Sequence, residues 1–320
     1  MRLETQRHDL KLAGFDPEVL AGLLSAARLE HYILSPGACD VEHQHWSCGD
    51  LSIDTGRYSF PCRSLGQFPR NRVSIGYMRE LSEPTWVNGF FADTTTLELY
   101  PPGCELNYRA GSRGHWVAIE LPEERLQAAA LRHLGQELRM PQDGMVSFPV
   151  PVKLRQALDR RLTALMTAKH LTSVAVERFF AELCGLLVHL HPRDAEPLIR
   201  RAAKRRKLIE CVDMKLRGRI GMDYATRNLA REVGVSERTL QRHFAEALGV
   251  TPIEWARCLA LHHARQRLEM GDPNRTSVEG LAREAGFRHM GRFAGYYREL
   301  FGEFPTTTLR RLKRTSWGQL

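Results

Sequence analysis

The sequence predicts an α+β chain with a β-rich N-terminal half and an all-helical C-terminal half. Short apolar stretches of period 2 alternate with turn residues over about 31–121. Apolar residues then recur at helical spacing, and the last third contains an internal repeat. Because 320 residues exceed one typical domain, we expect a first domain at 1–190, a linker at 191–204 and a second domain at 205–314.

The N-terminal half begins with a predicted amphipathic helix over 8–30, where Asp16-Pro17-Glu18 resembles a helix start. The alternating stretches that follow are typical of an antiparallel sandwich or small barrel, which can enclose one small ligand. They are Leu51–Ile53, Arg72–Tyr77, Trp86–Phe90, Leu97–Tyr100 and Trp116–Leu121.

After Pro122 the apolar spacing becomes helical. Two amphipathic segments, 152–169 and 174–190, predict a helical hairpin. The first carries a leucine stripe at Leu154, Leu158, Leu162 and Leu165. This stripe either packs on the chain's own barrel or forms a dimer seam, and we expect a homodimer through it.

Charge separates the two halves. Residues 1–199 hold 21 Lys+Arg and 24 Asp+Glu, whereas residues 200–314 hold 25 Lys+Arg and 13 Asp+Glu. The polar, Pro-containing stretch 191–197 predicts the linker, and the densest positive run, 200–207, follows it. Such an imbalance favours a small ligand or partner for the first half and a polyanion for the second.

Several classes of protein are disfavoured by composition. No apolar run approaches the ~20 residues of a membrane span, and no secretory signal is evident at the N-terminus, so we expect a cytoplasmic protein. Seven scattered cysteines without a Cys-x-x-Cys pair argue against a disulfide framework and against a zinc ribbon.

The internal repeat carries the strongest signal. Leu-Ala-Arg-Glu-x-Gly occurs at Leu229–Gly234 and again, 52 residues later, at Leu281–Gly286. Each glycine suits a helix C-terminus, where positive φ is needed. Ser236 can cap the next helix, and Leu240 and Phe244 lie four residues apart on its buried face. Helix, short turn and helix define a helix-turn-helix unit, whose second helix can enter a DNA major groove.

On these motifs, residues 205–314 resemble the DNA-binding domain of AraC/XylS-family transcription regulators. The match includes the Gly-Val-Ser-x-Arg-x-Leu-x-Arg-x-Phe run at 234–244 and the Phe-Gly-x-x-Pro run at 301–305, and it covers about a third of the chain. The N-terminal half resembles the family's cupin-like sensor domains in architecture alone. The resemblance implies an effector-sensing and dimerisation domain and a sequence-specific regulator, which we expect to be an activator. Its implied partners are promoter DNA, a small-molecule effector, RNA polymerase and a second copy of the chain.

The predicted DNA-contacting residues lie in both repeats. Arg pairs with guanine and Gln with adenine in the major groove. Arg238, Gln241 and Arg242 in the first repeat therefore have suitable chemistry, and the resemblance implies that they occupy the family's base-reading positions. Gly291 and Gly295 interrupt the second recognition helix, so we expect phosphate and shape contacts there. The full set is Thr226, Ser236, Arg238, Gln241, Arg242, Thr276, Arg288, His289, Met290 and Arg292.

For the first domain, an apolar cage with a few polar groups is the expected ligand pocket. The pocket residues we predict are Tyr77, Trp86, Asn88, Tyr100 and Tyr108, with Arg57 or Arg109 for an anionic group.

Two other functions stay open at this point. His43-x-His45-x4-Asp50 partly resembles the first motif of metal cupins, but Leu106 stands where the second motif needs a histidine and His115 is a distant substitute. No nucleophile elbow, P-loop or dinucleotide motif appears, so we expect no enzymatic activity, no metal and no cofactor. The alternatives are a cupin-type metalloenzyme with an accessory DNA-binding domain and a ligand-free architectural DNA binder.

Overall fold

The computed structural model describes residues 2–22, 28–37, 39–142, 144–168, 170–188, 192–220, 225–272 and 275–315. They form two compact units. The first comprises 1–31, 39–59 and 64–203, and the second comprises 204–320 with the short segments 32–38 and 60–63. No helix of the described ranges is both long and apolar enough to cross a bilayer.

The first unit is built on two main β-sheets. A seven-stranded sheet has the order β13-β10-β7-β12-β5-β4-β2, a five-stranded sheet has the order β3-β6-β11-β8-β9, and β1 pairs with β14. The strands are β1 (Arg2–Leu3), β2 (Gln6–Ala13), β3 (Arg28–Ile33), β4 (Asp40–Cys48), β5 (Leu51–Tyr58), β6 (Cys62–Gln67), β7 (Arg72–Glu80), β8 (Thr85–Val87), β9 (Phe90–Ala92), β10 (Thr96–Tyr100), β11 (Glu105–Ala110), β12 (His115–Pro122), β13 (Val146–Pro149) and β14 (Leu171–Thr172).

The predicted alternation has a physical basis in the large sheet. Successive side chains of a strand point to opposite faces, and the apolar ones join a core with helices α2 (Glu123–Leu134), α3 (Val152–Thr167) and α4 (Ser173–Leu187). Ile75, Leu97, Leu99 and Ile119 are each at most 1% exposed and pack in this core. The predicted hairpin segments correspond to α3 and α4.

The structure shows where the leucine stripe of α3 packs, which the sequence left open. Leu158, Leu162 and Leu165 are buried in the first unit's own core, whereas Leu154 is 41% exposed. The prediction of a dimer seam along these four positions is therefore wrong for three of them, because the sheet and α4 already cover their side chains.

The predicted opening helix is also wrong over most of its length. Residues 6–13 form β2, which pairs with β4 from Gln6↔Ser47 to Ala13↔Asp40, and strand pairing therefore overrides the weak helical pattern. Among the described residues of this segment, only α1 (Pro17–Ala21) is helical, and Asp16 accepts a hydrogen bond from the Val19 amide at its start. Residues 23–27 of this prediction lie outside the described residues.

The second unit is helical. It contains α5 (Pro192–Arg217) from Lys204 onward, together with α6 (Thr226–Glu232), α7 (Glu237–Leu248), α8 (Pro252–Glu269), α9 (Val278–Glu284), α10 (Met290–Phe301) and α11 (Pro305–Thr315). The stretch predicted as a linker is helical from Pro192 onward, where proline at the first helical position loses no intrahelical bond. Trp255 is fully buried and donates from Nε1 to Asp213 at 2.7 Å, which joins α8 to α5.

Candidate nucleic-acid interface and internal cavity

The first repeat folds as a helix-turn-helix unit. Helix α6 ends at a turn in which Gly234 has a φ of +71°, a value that favours glycine. The Val235 amide donates to the Ala230 carbonyl at 3.0 Å across this turn. Ser236 then caps α7, because its Oγ accepts from the Thr239 amide at 3.1 Å. The chain therefore reverses direction within four residues and fixes α7 against α6.

The second repeat has the same geometry. Gly286 has a φ of +87°, and the Phe287 amide donates to the Ala282 carbonyl at 2.9 Å. The turns of the two repeats are therefore 52 residues apart in the sequence. The second helices of the two repeats are 53 residues apart, since α7 begins at Glu237 and α10 at Met290.

The exposed face of α7 carries the predicted base-reading side chains. Leu240 and Phe244 are fully buried on the opposite face of this helix, while Arg238, Gln241 and Arg242 are exposed. Arg242 is 63% exposed at the side chain, with Glu246 3.9 Å away. The face therefore presents two guanidinium groups and one amide toward solvent within two helical turns.

The corresponding face of α10 lacks such side chains. The offset of 53 places Gly291 where α7 has Arg238, and Gly295 where it has Arg242. Arg292, Arg288 and His289 are exposed around the start of α10, and Met290 is half-buried there. The second unit therefore keeps positive charge near its recognition helix but presents few long side chains along it.

Thr226 and Thr276, which are predicted DNA contacts, each lie next to the N-cap of a helix. Thr226 is the first residue of α6, whose N-cap is Ala225 without a side-chain bond. In the second repeat Ser277 caps α9 by accepting from the Gly280 amide at 3.1 Å. Thr276 lies beside Gly271 instead, where its Oγ1 is 2.6 Å from the position of an added Cβ.

The basic run continues along α5. Lys204 and Lys207 are exposed. Arg205 lies 3.4 Å from Glu246 of α7, and Arg206 lies 3.5 Å from Glu210. Within this run the two lysines are thus exposed, whereas Arg205 and Arg206 each lie near a glutamate.

The first unit contains an internal cavity of about 70 Å³. Its lining residues come from both sheets: Leu29 and His31 of β3 and Tyr108 of β11 face side chains of β7, β10 and β12. The wall is largely aromatic, with Tyr58, Phe68, Tyr100, Tyr108 and Trp116. An apolar cavity with few polar groups is the usual form of a small-molecule site.

The structure places the predicted pocket residues in two groups. Tyr100 and Tyr108 line the cavity; Tyr77 also borders it, but its hydroxyl donates to Asp159 of α3 at 2.7 Å. Trp86 instead contacts Phe91 edge to face, and Asn88 is buried in a turn, where its side chain binds the backbone of Glu105 and Asn107.

Neither predicted arginine lies in the cavity wall. Arg57 is exposed and pairs with Glu80 at 3.0 Å, and Arg109 donates to the Pro84 carbonyl. Successive side chains of a strand point to opposite faces. Because Tyr58 of β5 points to the cavity, its neighbour Arg57 points away from it.

Sequence reasoning missed the most unusual cavity residue, Glu98. It is 3% exposed, and burial raises the pKa of its carboxyl to about 8. The sequence did contain a signal, because an acidic residue stands between Leu97 and Leu99 in a strand with no other charged residue.

The histidines of the partial cupin motif form a hydrogen-bonded cluster. His43 Nε2 and His45 Nδ1 lie 3.1 and 2.9 Å from the same oxygen of Asp54, Oδ1. Asp54, rather than the predicted Asp50, is thus their partner, and this interaction lowers the pKa of Asp54 against the opposing effect of burial. Among the described residues, no three His, Cys, Asp or Glu side chains are placed to hold a metal ion.

Comparison with known proteins places residues 229–311 in a family described as a helix-turn-helix domain. The probable thc operon regulatory protein of Rhodococcus erythropolis is 43% identical over 82 residues, which are 26% of this chain and 25% of that protein. The XylDLEGF operon transcriptional activator 1 of Pseudomonas putida is 36% identical over 107 residues, 33% of this chain and 31% of that protein.

A solved structure is also similar, a transcriptional regulator from Chromobacterium violaceum described among the AraC-type DNA-binding domain-containing proteins. It is 27% identical, covers 34% of this chain and 95% of its own, and has a TM-score of 0.32. The chain matches about a quarter to a third of the length of the two relatives above. Residues 229–311 of the second unit therefore contain a helix-turn-helix domain, and this domain resembles those of AraC/XylS-family regulators.

Proposed function

We propose that this chain is a sequence-specific transcription regulator that activates its promoter in response to a small molecule. The observation that carries this proposal is the exposed face of α7, with Arg238, Gln241 and Arg242 on a helix whose opposite face is buried. Arg and Gln side chains read base edges in the major groove. The relatives support the role, since one is named a transcriptional activator and one a regulatory protein, and neither name describes an enzyme.

The two helix-turn-helix units have different tasks in this proposal. The first reads sequence through α7. The second, with Gly291 and Gly295 at the positions of Arg238 and Arg242, contributes phosphate and shape contacts through Arg288 and Arg292. The caps of α6 and α9 lie at Ala225 and Ser277, and Thr226 and Thr276 beside them are proposed to face the phosphate backbone.

The first unit is proposed to sense the effector and to form a homodimer. Its cavity supports the sensing role. Leu154 and Val174 are 41% and 67% exposed on α3 and α4 and support a contact with a second copy. A regulator of this kind acts in the cytoplasm on promoter DNA together with RNA polymerase.

The direct test is selection of binding sites from a pool of random duplexes with the full chain. We expect enrichment of one motif, and Gln241→Ala should relax the preference at one base position only. Arg283→Ala is the matched control, because Arg283 is exposed on α9 and bonded to Glu279 at 2.7 Å. Binding without any enriched motif would contradict the proposal.

A further inference from the structure

The cavity wall of the first unit has an unusual charge balance. Arg and Lys are absent from the lining residues that the structure describes. Apart from tyrosine hydroxyls, the ionisable lining groups are His31 and Glu98. The chemistry of these two side chains therefore decides which ligand charge the cavity accepts.

His31 is neutral at ordinary pH. Its Nδ1 lies 2.8 Å from the Ser64 hydroxyl, and burial lowers the pKa of the imidazole to about 4. A neutral imidazole gives no counter-charge to an anion. A carboxylate ligand would lose its hydration without gaining an ion pair, which is costly in an apolar site.

Glu98 is one of the polar groups in the cavity wall, together with His31, Ser74 and the indole N–H of Trp116. Leu97 and Leu99 on either side join the core beneath the sheet, so Glu98 points to the opposite face. Its Oε1 is buried and has no hydrogen-bond partner among the described residues. Because burial raises the pKa of this carboxyl to about 8, it is protonated at neutral pH and has an O–H group to donate.

Gly76 lies directly beside this carboxyl in the cavity wall. It pairs with Glu98 across the β7–β10 ladder. A Cβ added at Gly76 would stand 3.0 Å from Glu98 Oε2 and 3.2 Å from Tyr100 Cε2. Both distances are shorter than ordinary van der Waals contacts, so glycine lets the carboxyl and the aromatic ring keep these positions.

We propose that the effector is an uncharged compound smaller than a benzene ring, with a hydrogen-bond acceptor that takes a bond from the Glu98 carboxyl. This inference rests on the proposed effector-sensing role of the first unit. The size follows from the cavity volume of about 70 Å³, which is less than half of the ~150 Å³ of a cavity that holds benzene.

Three small probes of similar size separate the possible charges: acetamide is neutral, acetate is an anion and ethylamine is a cation. Calorimetric titration of the full chain at pH 7 should give acetamide the tightest binding, at least tenfold tighter than acetate. Glu98→Gln keeps an N–H donor and should change acetamide affinity by less than about threefold. Glu98→Leu removes the donor and should weaken it about tenfold, and Gly76→Ala should weaken it because a Cβ there would displace the carboxyl.

Arg57→Ala is the control, because Arg57 is exposed and outside the cavity wall. Tighter binding of ethylamine or acetate than of acetamide would overturn the inference, as would equal acetamide affinity in Glu98→Leu and the natural chain. Failure of all three probes to bind at 10 mM would also overturn it. Selection of DNA sites by the same preparation is an independent measurement, so loss of the effector inference leaves the DNA-reading proposal standing.

Discussion

Replacing Gly291 and Gly295 by alanine should stabilise α10. Both glycines are exposed inside the helix, and an added Cβ at either position meets no atom within 4 Å. Alanine is better than glycine in a helix interior by about 1 kcal/mol, so the double variant should gain about 2 kcal/mol. Amide hydrogen exchange of peptides from 290–301 in the full chain measures this locally, and roughly 30-fold slower exchange is expected if opening is local.

Gly302→Ala is the matched control. Gly302 ends the same helix, but its φ of +72° is left-handed, so alanine should destabilise that end by about 1 kcal/mol and speed exchange. Unchanged or faster exchange in the double variant would refute the argument that these glycines weaken α10 without serving a packing role.

Three further predictions concern stability. Ser236→Ala should cost about 1 kcal/mol, seen as faster exchange in 237–248, because the Thr239 amide loses its acceptor; unchanged exchange would show that water replaces the cap without loss. Leu158→Glu with Leu165→Glu should unfold the first unit rather than release a monomer, because both leucines are at most 3% exposed in its core; a folded monomer by circular dichroism and sedimentation would contradict this. Glu98 has a pKa raised by burial from 4.5 to about 8, so its contribution to stability is full below pH 4.5 and is lost as pH rises through 8. Glu98→Gln should therefore gain relative stability from pH 5 to pH 9 in denaturant titrations, by about 5 kcal/mol at most, and a constant difference would show that Glu98 is ionised in the folded state.

The fold could be predicted where local pattern and tertiary packing agree. The strand alternation of 72–77 and the helical spacing of 174–190 correspond to β7 and α4, since each buries one face on a single core. The opening segment failed because β2 is an edge strand with mostly exposed side chains, so its sequence carries little apolar alternation and only pairing with β4 defines it. Partner strands far along the chain leave no local signal.

The candidate sites could also be predicted from the sequence only in part. The α7 face was predictable because Leu240 and Phe244 fix its orientation and leave Arg238, Gln241 and Arg242 on the other side. The cavity was only half predictable, because aromatic type alone does not tell which face of a strand a residue occupies. Tyr100 faces the cavity, whereas the Tyr77 hydroxyl reaches Asp159 on the helix side.

The central claim is that α7 reads bases while the α5 run contacts phosphates. Its most direct test compares Arg242→Ala with Lys204→Gln combined with Lys207→Gln, on the selected site and on random duplex DNA across a salt series. Arg242→Ala should cost about 1–3 kcal/mol on the selected site and much less on random DNA. The lysine variant should weaken binding to both duplexes equally, and its salt dependence should be flatter by about one unit of slope for each phosphate that a lysine no longer neutralises. An equal loss of affinity on both duplexes for Arg242→Ala, or no loss on either, would contradict the claim.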